Sequence, residues 1–203
     1  MPEIAARSLA DFAANTWMNV VPPAARWILQ GAGEARAAAA RAFGVALTEE
    51  PCRARVHGER ASLWLAPEEY LLLAPAADAA AVGGALAAAL RPIAHSLVDV
   101  GHRQVGIEIH GPQAARILNG ACPLDFDAAA FPCGACTRTA FAKADIVLWR
   151  TRADAFRLEV ARSFSAYVAA LLAEIAIDYL PCAGAGAQSA DRGIASGVAK
   201  LPP

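Results

Sequence analysis

Short stretches in which apolar and polar residues alternate recur along the chain, separated by stretches with helical spacing. Gln104–His110 is the clearest of them, because Val105, Ile107 and Ile109 are apolar and the residues between them are polar or glycine. Alternation of this kind predicts a β-strand that buries one face.

The first half of the chain carries four strand patterns and two helix patterns. The helix patterns lie at Glu34–Phe43, which ends before Gly44, and at Asp78–Leu90, which ends before Pro92. The strand patterns are Trp27–Gln30, Ser62–Leu65, Glu69–Leu73 and Leu97–Val100. Their order is that of a split βαβ unit, in which both helices cover one face of an antiparallel sheet.

The second half nearly repeats this order. After Gln104–His110 we predict a helix at Pro112–Asn119 and a loop at Cys122–Cys136. Strands at Thr137–Phe141, Ile146–Arg150 and Phe156–Val160 follow, and then a helix at Phe164–Leu180 with Ser163 as its cap. The predicted fold class is therefore α+β, with two split-βαβ (ferredoxin-like) halves and antiparallel sheets.

These patterns divide the chain into four parts. The halves span residues 24–101 and 102–180. Residues 1–23 are predicted to be an N-terminal arm, whose Phe12, Trp17 and Met18 need a surface to bury them. Residues 181–203 are rich in Ala, Gly, Ser and Pro, and we expect a flexible tail because such a segment buries too little apolar surface to order itself.

Composition narrows the class of protein. The 203 residues are 57% hydrophobic with a net charge of −1, which argues against a nucleic-acid partner. Met1–Val20 lacks the apolar run of a signal peptide, and Ala76–Leu90 is too short and interrupted to cross a membrane. The five cysteines, an odd number, indicate free thiols in a reducing compartment. We expect a cytoplasmic protein.

Cys133-Gly-Ala-Cys136 is the most conspicuous short motif. A redox pair of this spacing needs its first cysteine at a helix N-terminus, whereas a strand pattern follows here. A zinc site needs two more ligands, which would have to come from Cys122 and from His102 or His110. We therefore interpret the pair as two loop thiols.

Two further motifs lack the context that phosphate binding or catalysis requires. Gly31-Ala-Gly33 precedes a helix, but Arg36 stands where a dinucleotide fingerprint has its third glycine. Ser163 and Ser165 lack the G-x-S-x-G of a nucleophile elbow. We predict a plain strand-to-helix turn at the glycines.

Asp99, His102 and Arg103 lie together between two predicted strands. Their side chains suit a carboxylate or a pterin-like ring, because Asp and Arg both offer bidentate geometry. The simpler interpretation, which we favour, is a turn whose charges satisfy one another and the local backbone.

Four arginines alternate with apolar residues near the late strands: Arg138, Arg150, Arg157 and Arg162. They indicate either a solvated sheet face or a polar face that meets a partner protein. Trp64 and Trp149 are interpreted as core residues.

Ser96–Phe164 resembles the gamma subunits of heterotetrameric sarcosine oxidases. The motifs that carry the resemblance are V-D-V-G-H-R-Q-V at Val98–Val105, G-P-Q-A-A at Gly111–Ala115, the L-N…C-P-L-D series from Leu118 to Asp125, the F-P-x-G-x-C-T-R-T series from Phe131 to Thr139, I-V-L-W-R at Ile146–Arg150, F-R-L-E-V-x-R-S-F at Phe156–Phe164 and, upstream, Leu63–Pro75. The resemblance extends from Trp27 to Leu180, and Gly101 and Cys133 depart from the usual pattern.

The resemblance implies a fold similar to the folate-binding domain of the glycine cleavage T-protein. It implies a complex that oxidises sarcosine to glycine, formaldehyde and hydrogen peroxide, or yields methylene-tetrahydrofolate when tetrahydrofolate is present. FAD, covalent FMN and NAD would lie on the large subunits and zinc on the smallest. The gamma chain would carry no catalytic, cofactor or metal site, would bind the alpha subunit directly, and would share the complex with beta and delta subunits.

Two alternatives remain open. One is a stand-alone folate-binding aminomethyltransferase of the T-protein type, for which Asp125 is the nearest match in sequence order to the acidic residue of that family. The other is a small thiol or metal protein that uses Cys133 and Cys136.

Overall fold

Two five-stranded antiparallel sheets form the centre of the computed structural model, which describes residues 16–180. The strands are β1 (Met18–Val20), β2 (Ala24–Gln30), β3 (Ala54–His57), β4 (Arg60–Ala66), β5 (Glu69–Pro75), β6 (Ser96–Asp99), β7 (Gln104–His110), β8 (Cys136–Phe141), β9 (Ala144–Arg152) and β10 (Ala155–Ala161). The helices are α1 (Gly33–Phe43), α2 (Ala79–Leu90), α3 (Ala114–Asn119) and α4 (Arg162–Ala176).

The two sheets have corresponding strand orders. The first is β3-β4-β5-β2-β6 and the second is β8-β9-β10-β7-β1. Each therefore contains the four-strand arrangement of a split βαβ unit with one extra edge strand, and the predicted fold class is confirmed. In the second sheet β1 takes the position that β6 has in the first. The second half therefore takes its fourth strand from the residues that precede the first half.

The structure corrects several details of the prediction. Met18–Val20, which we placed in the arm, pairs with β7, and Met18 is buried in the core of the second half. The strand β3 was missed because A-R-V-H shows no apolar alternation, and only its first residue, Ala54, is buried. Helix α4 begins at Arg162 without a side-chain cap, so the cap predicted at Ser163 is wrong. The first 15 residues, with Phe12, and the predicted tail 181–203 lie outside the described residues.

The core has three parts stacked through the molecule. Helices α1 and α2 cover the outer face of the first sheet, where Leu29, Leu72 and Leu86 have no exposed surface. Helices α3 and α4 cover the outer face of the second sheet around Leu148 and Leu158. A third cluster joins the inner faces of the two sheets, which gives the layer order helix, sheet, sheet, helix.

Burial on both faces explains the apolar runs in the sequence. The whole of Tyr70–Ala74 in β5 is buried, because α2 and its neighbours cover one face and the second sheet covers the other. A strand that is covered on both sides needs no polar alternate positions. The inner cluster includes Leu63 and Leu71 from the first sheet and Cys136 and Val147 from the second.

A buried ionic cluster also bridges the inner faces. Arg26 of β2 donates from Nε to Oε2 of Glu159 on β10 at 2.6 Å, and Arg157 donates from Nε to Oε1 of the same carboxylate at 2.7 Å. Arg26 and Glu159 are each only 2% exposed. Gly106 pairs with Glu159 across the strands, and a Cβ there would lie 3.3 Å from Nη2 of Arg26. The glycine therefore leaves room for the guanidinium.

Backbone contacts join the halves at one end of the inner layer. Ala54 N–H donates to the Gly134 carbonyl at 2.8 Å, and Cys136 N–H donates to the Cys52 carbonyl at 2.9 Å. An ion pair between Arg138 and Glu69 crosses the same region. Main-chain bonds of this kind fix the relative register of the two sheets.

We expect replacement of the buried carboxylate in Glu159→Gln to lower the free energy of unfolding by about 3–5 kcal/mol, because it leaves the buried guanidinium of Arg26 and the partly buried one of Arg157 without a counter-charge. The measurement is urea denaturation followed by circular dichroism. The matched control is Glu49→Gln, since Glu49 pairs with Arg36 but its side chain is 77% exposed; it should cost no more than about 1 kcal/mol. Equal losses in the two variants would contradict this role for the cluster.

Cys133 and Cys136 should differ in their reactivity towards alkylation and in the stability lost on replacement by serine. Burial raises the pKa of the Cys136 thiol to about 12, and this residue has no exposed surface, whereas Cys133 is exposed. At pH 8 iodoacetamide should alkylate Cys133 in the native protein and spare Cys136, because the thiolate is the reactive form. Cys136→Ser should cost about 1–2 kcal/mol and Cys133→Ser less than about 0.5 kcal/mol. Mass spectrometry of the alkylated peptides and urea denaturation check the two expectations.

Candidate functional site

Cys133 and Cys136 do not share one environment. The Cys136 thiol points into the layer between the sheets and donates to the Trp64 carbonyl at 3.4 Å. The Cys133 thiol is exposed and donates to the Thr151 carbonyl at 3.4 Å. Within residues 16–180 no three His, Cys, Asp or Glu side chains are grouped closely enough to hold a metal ion.

The glycines of Gly31-Ala-Gly33 form the turn from β2 into α1. A Cβ at Gly31 would lie 2.7 Å from the Cβ of Ala35, so the close approach of strand and helix requires glycine there. Arg36 forms an ion pair with Glu49 beside a cleft of about 310 Å³ that Trp64 and Tyr70 also line. Burial raises the pKa of the Tyr70 hydroxyl.

Ser163 and Ser165 lie in the first turn of α4. Ser165 is buried, and its hydroxyl donates to the Arg162 carbonyl at 2.7 Å. Ser163 is exposed. Neither arrangement is that of an activated nucleophile, which needs a base within hydrogen-bond reach.

The four arginines do not form one face, and neither interpretation, a solvated sheet face or a partner-facing one, describes Arg150 and Arg157. Arg150 is 7% exposed and donates from Nη1 to the Phe131 carbonyl at 2.7 Å, with its guanidinium 5.0 Å from the centre of the Phe156 ring. It thus holds the loop before β8 in place. Arg157 belongs to the buried cluster with Glu159. The other two are exposed: Arg138 pairs with Glu69, and Arg162 donates to the His102 carbonyl at 3.0 Å.

The predicted core role of the tryptophans agrees with their packing. Trp64 packs against the outer core of the first half, and Trp149 packs against the inner cluster. The indole N–H of Trp149 is buried and has no hydrogen-bond partner in the described part of the chain.

Asp125 lies at the surface of the loop that follows α3. Its Oδ1 accepts a hydrogen bond from the Asp127 backbone N–H at 2.9 Å. This is an Asx turn, which organises the local backbone.

A cleft of about 410 Å³ opens where β2, β6, β7 and the start of α4 meet. Asp99 and His102 line it, as their proximity in sequence suggested, whereas Arg103 is not among its lining residues. The Asp99 carboxylate accepts a hydrogen bond from the Gly101 backbone N–H at 2.8 Å. Arg26 and Arg162 add two guanidinium groups from distant parts of the chain.

Sequence reasoning missed Arg26 as a member of this cleft. The one available signal was an arginine in the middle of an apolar strand, A-A-R-W-I-L. A charged residue at such a position is costly to bury unless it is paired, so it marks a specific contact. Nothing local identifies its partner, because Glu159 lies 133 residues further along the chain.

Large apolar side chains are exposed on and just after α4. Phe164 is 43% exposed, Tyr167 36%, Ile177 68% and Tyr179 38%. Tyr179 and Ile177 follow the last residue of the helix. In the described part of the chain, no helix combines the length and apolar character needed to cross a membrane.

Curated relatives of the chain are sarcosine oxidase gamma subunits. The chain is 33% identical over 116 residues to the subunit from Arthrobacter sp, which covers 57% of this chain and 56% of the relative. It is 30% identical over 133 residues to the subunit from Corynebacterium sp. (strain U-96), which covers 66% of this chain and 63% of the relative. The matches thus span little more than half the length of these relatives.

Solved structures share the fold. A chain of the heterotetrameric sarcosine oxidase from Corynebacterium sp. U-96, in complex with pyrrole 2-carboxylate, superposes with a TM-score of 0.77 at 24% identity, covering 85% of this chain and 95% of that one. The glycine cleavage system aminomethyltransferase T from Bartonella henselae gives 0.58 at 16% identity, covering 76% of this chain and 44% of that one. The similarity to the T-protein fold is therefore confirmed.

The model of the family described as "Sarcosine oxidase, gamma subunit family" matches residues 30–178. This range includes both split-βαβ halves except β1 and all of β2 but its last residue, Gln30. This chain belongs to the sarcosine oxidase gamma subunit family.

Proposed function

We propose that the chain is the gamma subunit of a heterotetrameric sarcosine oxidase and that its role in the complex is structural. The complex would oxidatively demethylate sarcosine to glycine, with hydrogen peroxide and with formaldehyde or methylene-tetrahydrofolate as the other products. The observation that carries the proposal is the family match over residues 30–178. The shared fold with a chain of a heterotetrameric sarcosine oxidase supports it.

The direct partner in this proposal is the alpha subunit, and beta and delta subunits complete a cytoplasmic assembly. FAD, covalent FMN, NAD and zinc, and the site for tetrahydrofolate, would lie on those other subunits. The proposal thus assigns catalysis to the partners and makes this chain part of the enzyme only within the complex.

We place the contact with the large subunit on α4 and the residues that follow it. Among residues 16–180, four of the six large apolar residues that are most exposed lie between residues 164 and 179. Aromatic side chains are enriched at protein interfaces, because they bury much apolar area at little cost in conformational entropy. The two others, Val56 and Val98, lie on the edge strands β3 and β6.

Assembly is the direct test of the proposed function. An affinity-tagged full-length chain, produced together with the other subunits of a heterotetrameric sarcosine oxidase, should retain them through purification, and the product should release hydrogen peroxide from sarcosine. A peroxidase-coupled assay measures the activity. A tagged chain that elutes alone, while sarcosine oxidase activity elutes elsewhere, would count against the proposal.

The purified single chain should bind no flavin and oxidise no sarcosine. Its visible absorption spectrum and the same coupled assay check this. A flavin spectrum that persists in the single chain, or saturable tetrahydrofolate binding in the micromolar range, would favour a stand-alone enzyme instead.

The double variant Phe164→Ser and Tyr167→Ser should weaken retention of the large subunit about tenfold or more, which corresponds to a loss of about 1.4 kcal/mol in binding free energy. The matched control is Val56→Ser, which removes an even more exposed apolar side chain from β3, an edge strand of the first sheet. Circular dichroism should show that both variants keep the fold. If Val56→Ser weakens assembly as much as the double variant, the placement on α4 is wrong.

A further inference from the structure

The buried cluster between the sheets carries an unbalanced charge. Two guanidinium groups, that of the buried Arg26 and that of Arg157, whose side chain is 17% exposed, share the one carboxylate of Glu159. Glu108 of β7 lies opposite Arg157 across the strands but pairs with Arg152. Buried charges in proteins are normally paired, so this cluster has room for one more negative charge.

Arg26, a residue that lines the cleft, has an unused hydrogen-bond donor, whereas the buried Nη2 of Arg157 lies 2.6 Å from Oε1 of Glu159. Nε donates to Glu159 and Nη1 donates to the Ala24 carbonyl at 2.9 Å, while Nη2 has no partner among residues 16–180. The Arg26 side chain is 3% exposed, and the surface it retains faces the cleft of about 410 Å³ that it lines. Gly106 keeps this approach open, because a Cβ there would lie 3.3 Å from Nη2.

Hydrogen-bond acceptors line the same cleft. Oε1 of Gln104 is buried and has no partner in the described residues. One oxygen of the Asp99 carboxylate accepts the Gly101 N–H, and the side chain is otherwise exposed at the cleft. Acceptors beside a guanidinium suit a ligand that carries a hydrogen-bond donor close to its own negative charge.

We propose that this cleft binds a small carboxylate that also carries an amine, such as an α-amino acid. The carboxylate accepts from Nη2 of Arg26 and balances the buried cluster, and the amine donates to Oε1 of Gln104 and to Asp99. A phosphate dianion fits less well, because Glu159 and Asp99 would repel its second charge. The volume lies within the range of small-molecule sites.

The proposal is independent of the assembly described above, since it concerns binding by this chain alone. Calorimetric titration of the full-length chain with glycine should give saturable binding, acetate should bind more weakly, and methylamine should give no heat. Sodium chloride at matched ionic strength serves as the reference. Absence of glycine binding, or equal effects of glycine, acetate and chloride, would overturn the proposal.

Two variants localise the binding. Gln104→Leu removes the buried acceptor without altering the ionic cluster and should weaken glycine about tenfold, as expected for loss of one hydrogen bond. Arg26→Lys keeps a positive charge beside Glu159 but has no Nη2, and it should weaken both glycine and acetate. The control is Arg103→Gln, because Arg103 is an exposed arginine that directly precedes Gln104 in the sequence but does not line the cleft; this variant should leave binding unchanged. Since Gln104→Leu leaves the cluster intact, unchanged glycine affinity in that variant would overturn the proposal even if Arg26→Lys fails to fold.

Discussion

The contact between Arg26 and Glu159 sets the arrangement of the two halves. It joins the middle of the first sheet to the middle of the second, and both side chains are almost wholly removed from water. Taking a guanidinium and a carboxylate out of water costs several kcal/mol for each ion, and only close geometry offsets that cost. This pair forms only when the two sheets meet in one register, which is the register that the main-chain bonds of Ala54 and Cys136 to the other half also fix.

The same junction creates the cleft. The sheets are packed by apolar side chains around Leu71 and Val147, and the ionic cluster lies beside this packing where β2, β7 and β10 come together. Gly106, opposite Glu159, gives the guanidinium its space and at the same time leaves the cleft without a side chain at that point. One small residue thus serves both the packing of the halves and the access to Arg26.

The strand β1 shows how closely the halves depend on each other. It fills the fourth position of the second sheet although it precedes the first half in sequence. The Val21 N–H then donates to the Gly106 carbonyl at 2.8 Å as the chain passes towards β2. The chain therefore crosses from one sheet to the other next to the ionic cluster, and unfolding of either half would remove a strand or a counter-charge from the other.

The sequence by itself determined the local elements and the fold class, because period-two and helical patterns depend only on neighbouring residues. The alternation of Val105, Ile107 and Ile109 and the helix pattern at Glu34–Phe43 sufficed for a split-βαβ arrangement, and the motifs from Val98 to Phe164 sufficed for the family. The pattern also identified which strand face was polar. It did not reveal that a second sheet covers that face, so Arg157 was assigned to a solvated or partner-facing surface.

Only the tertiary structure decided which distant residues meet. The pairing of Met18–Val20 with β7, the ion pair across 133 residues and the cleft that combines Arg26 with Asp99 and His102 all rest on non-local contacts. No local propensity encodes such contacts, because each is stabilised by burial that exists only after both halves have formed. The sequence therefore determined which segments form strands and helices. The packing of the two sheets determined which charged residues pair and which line the cleft.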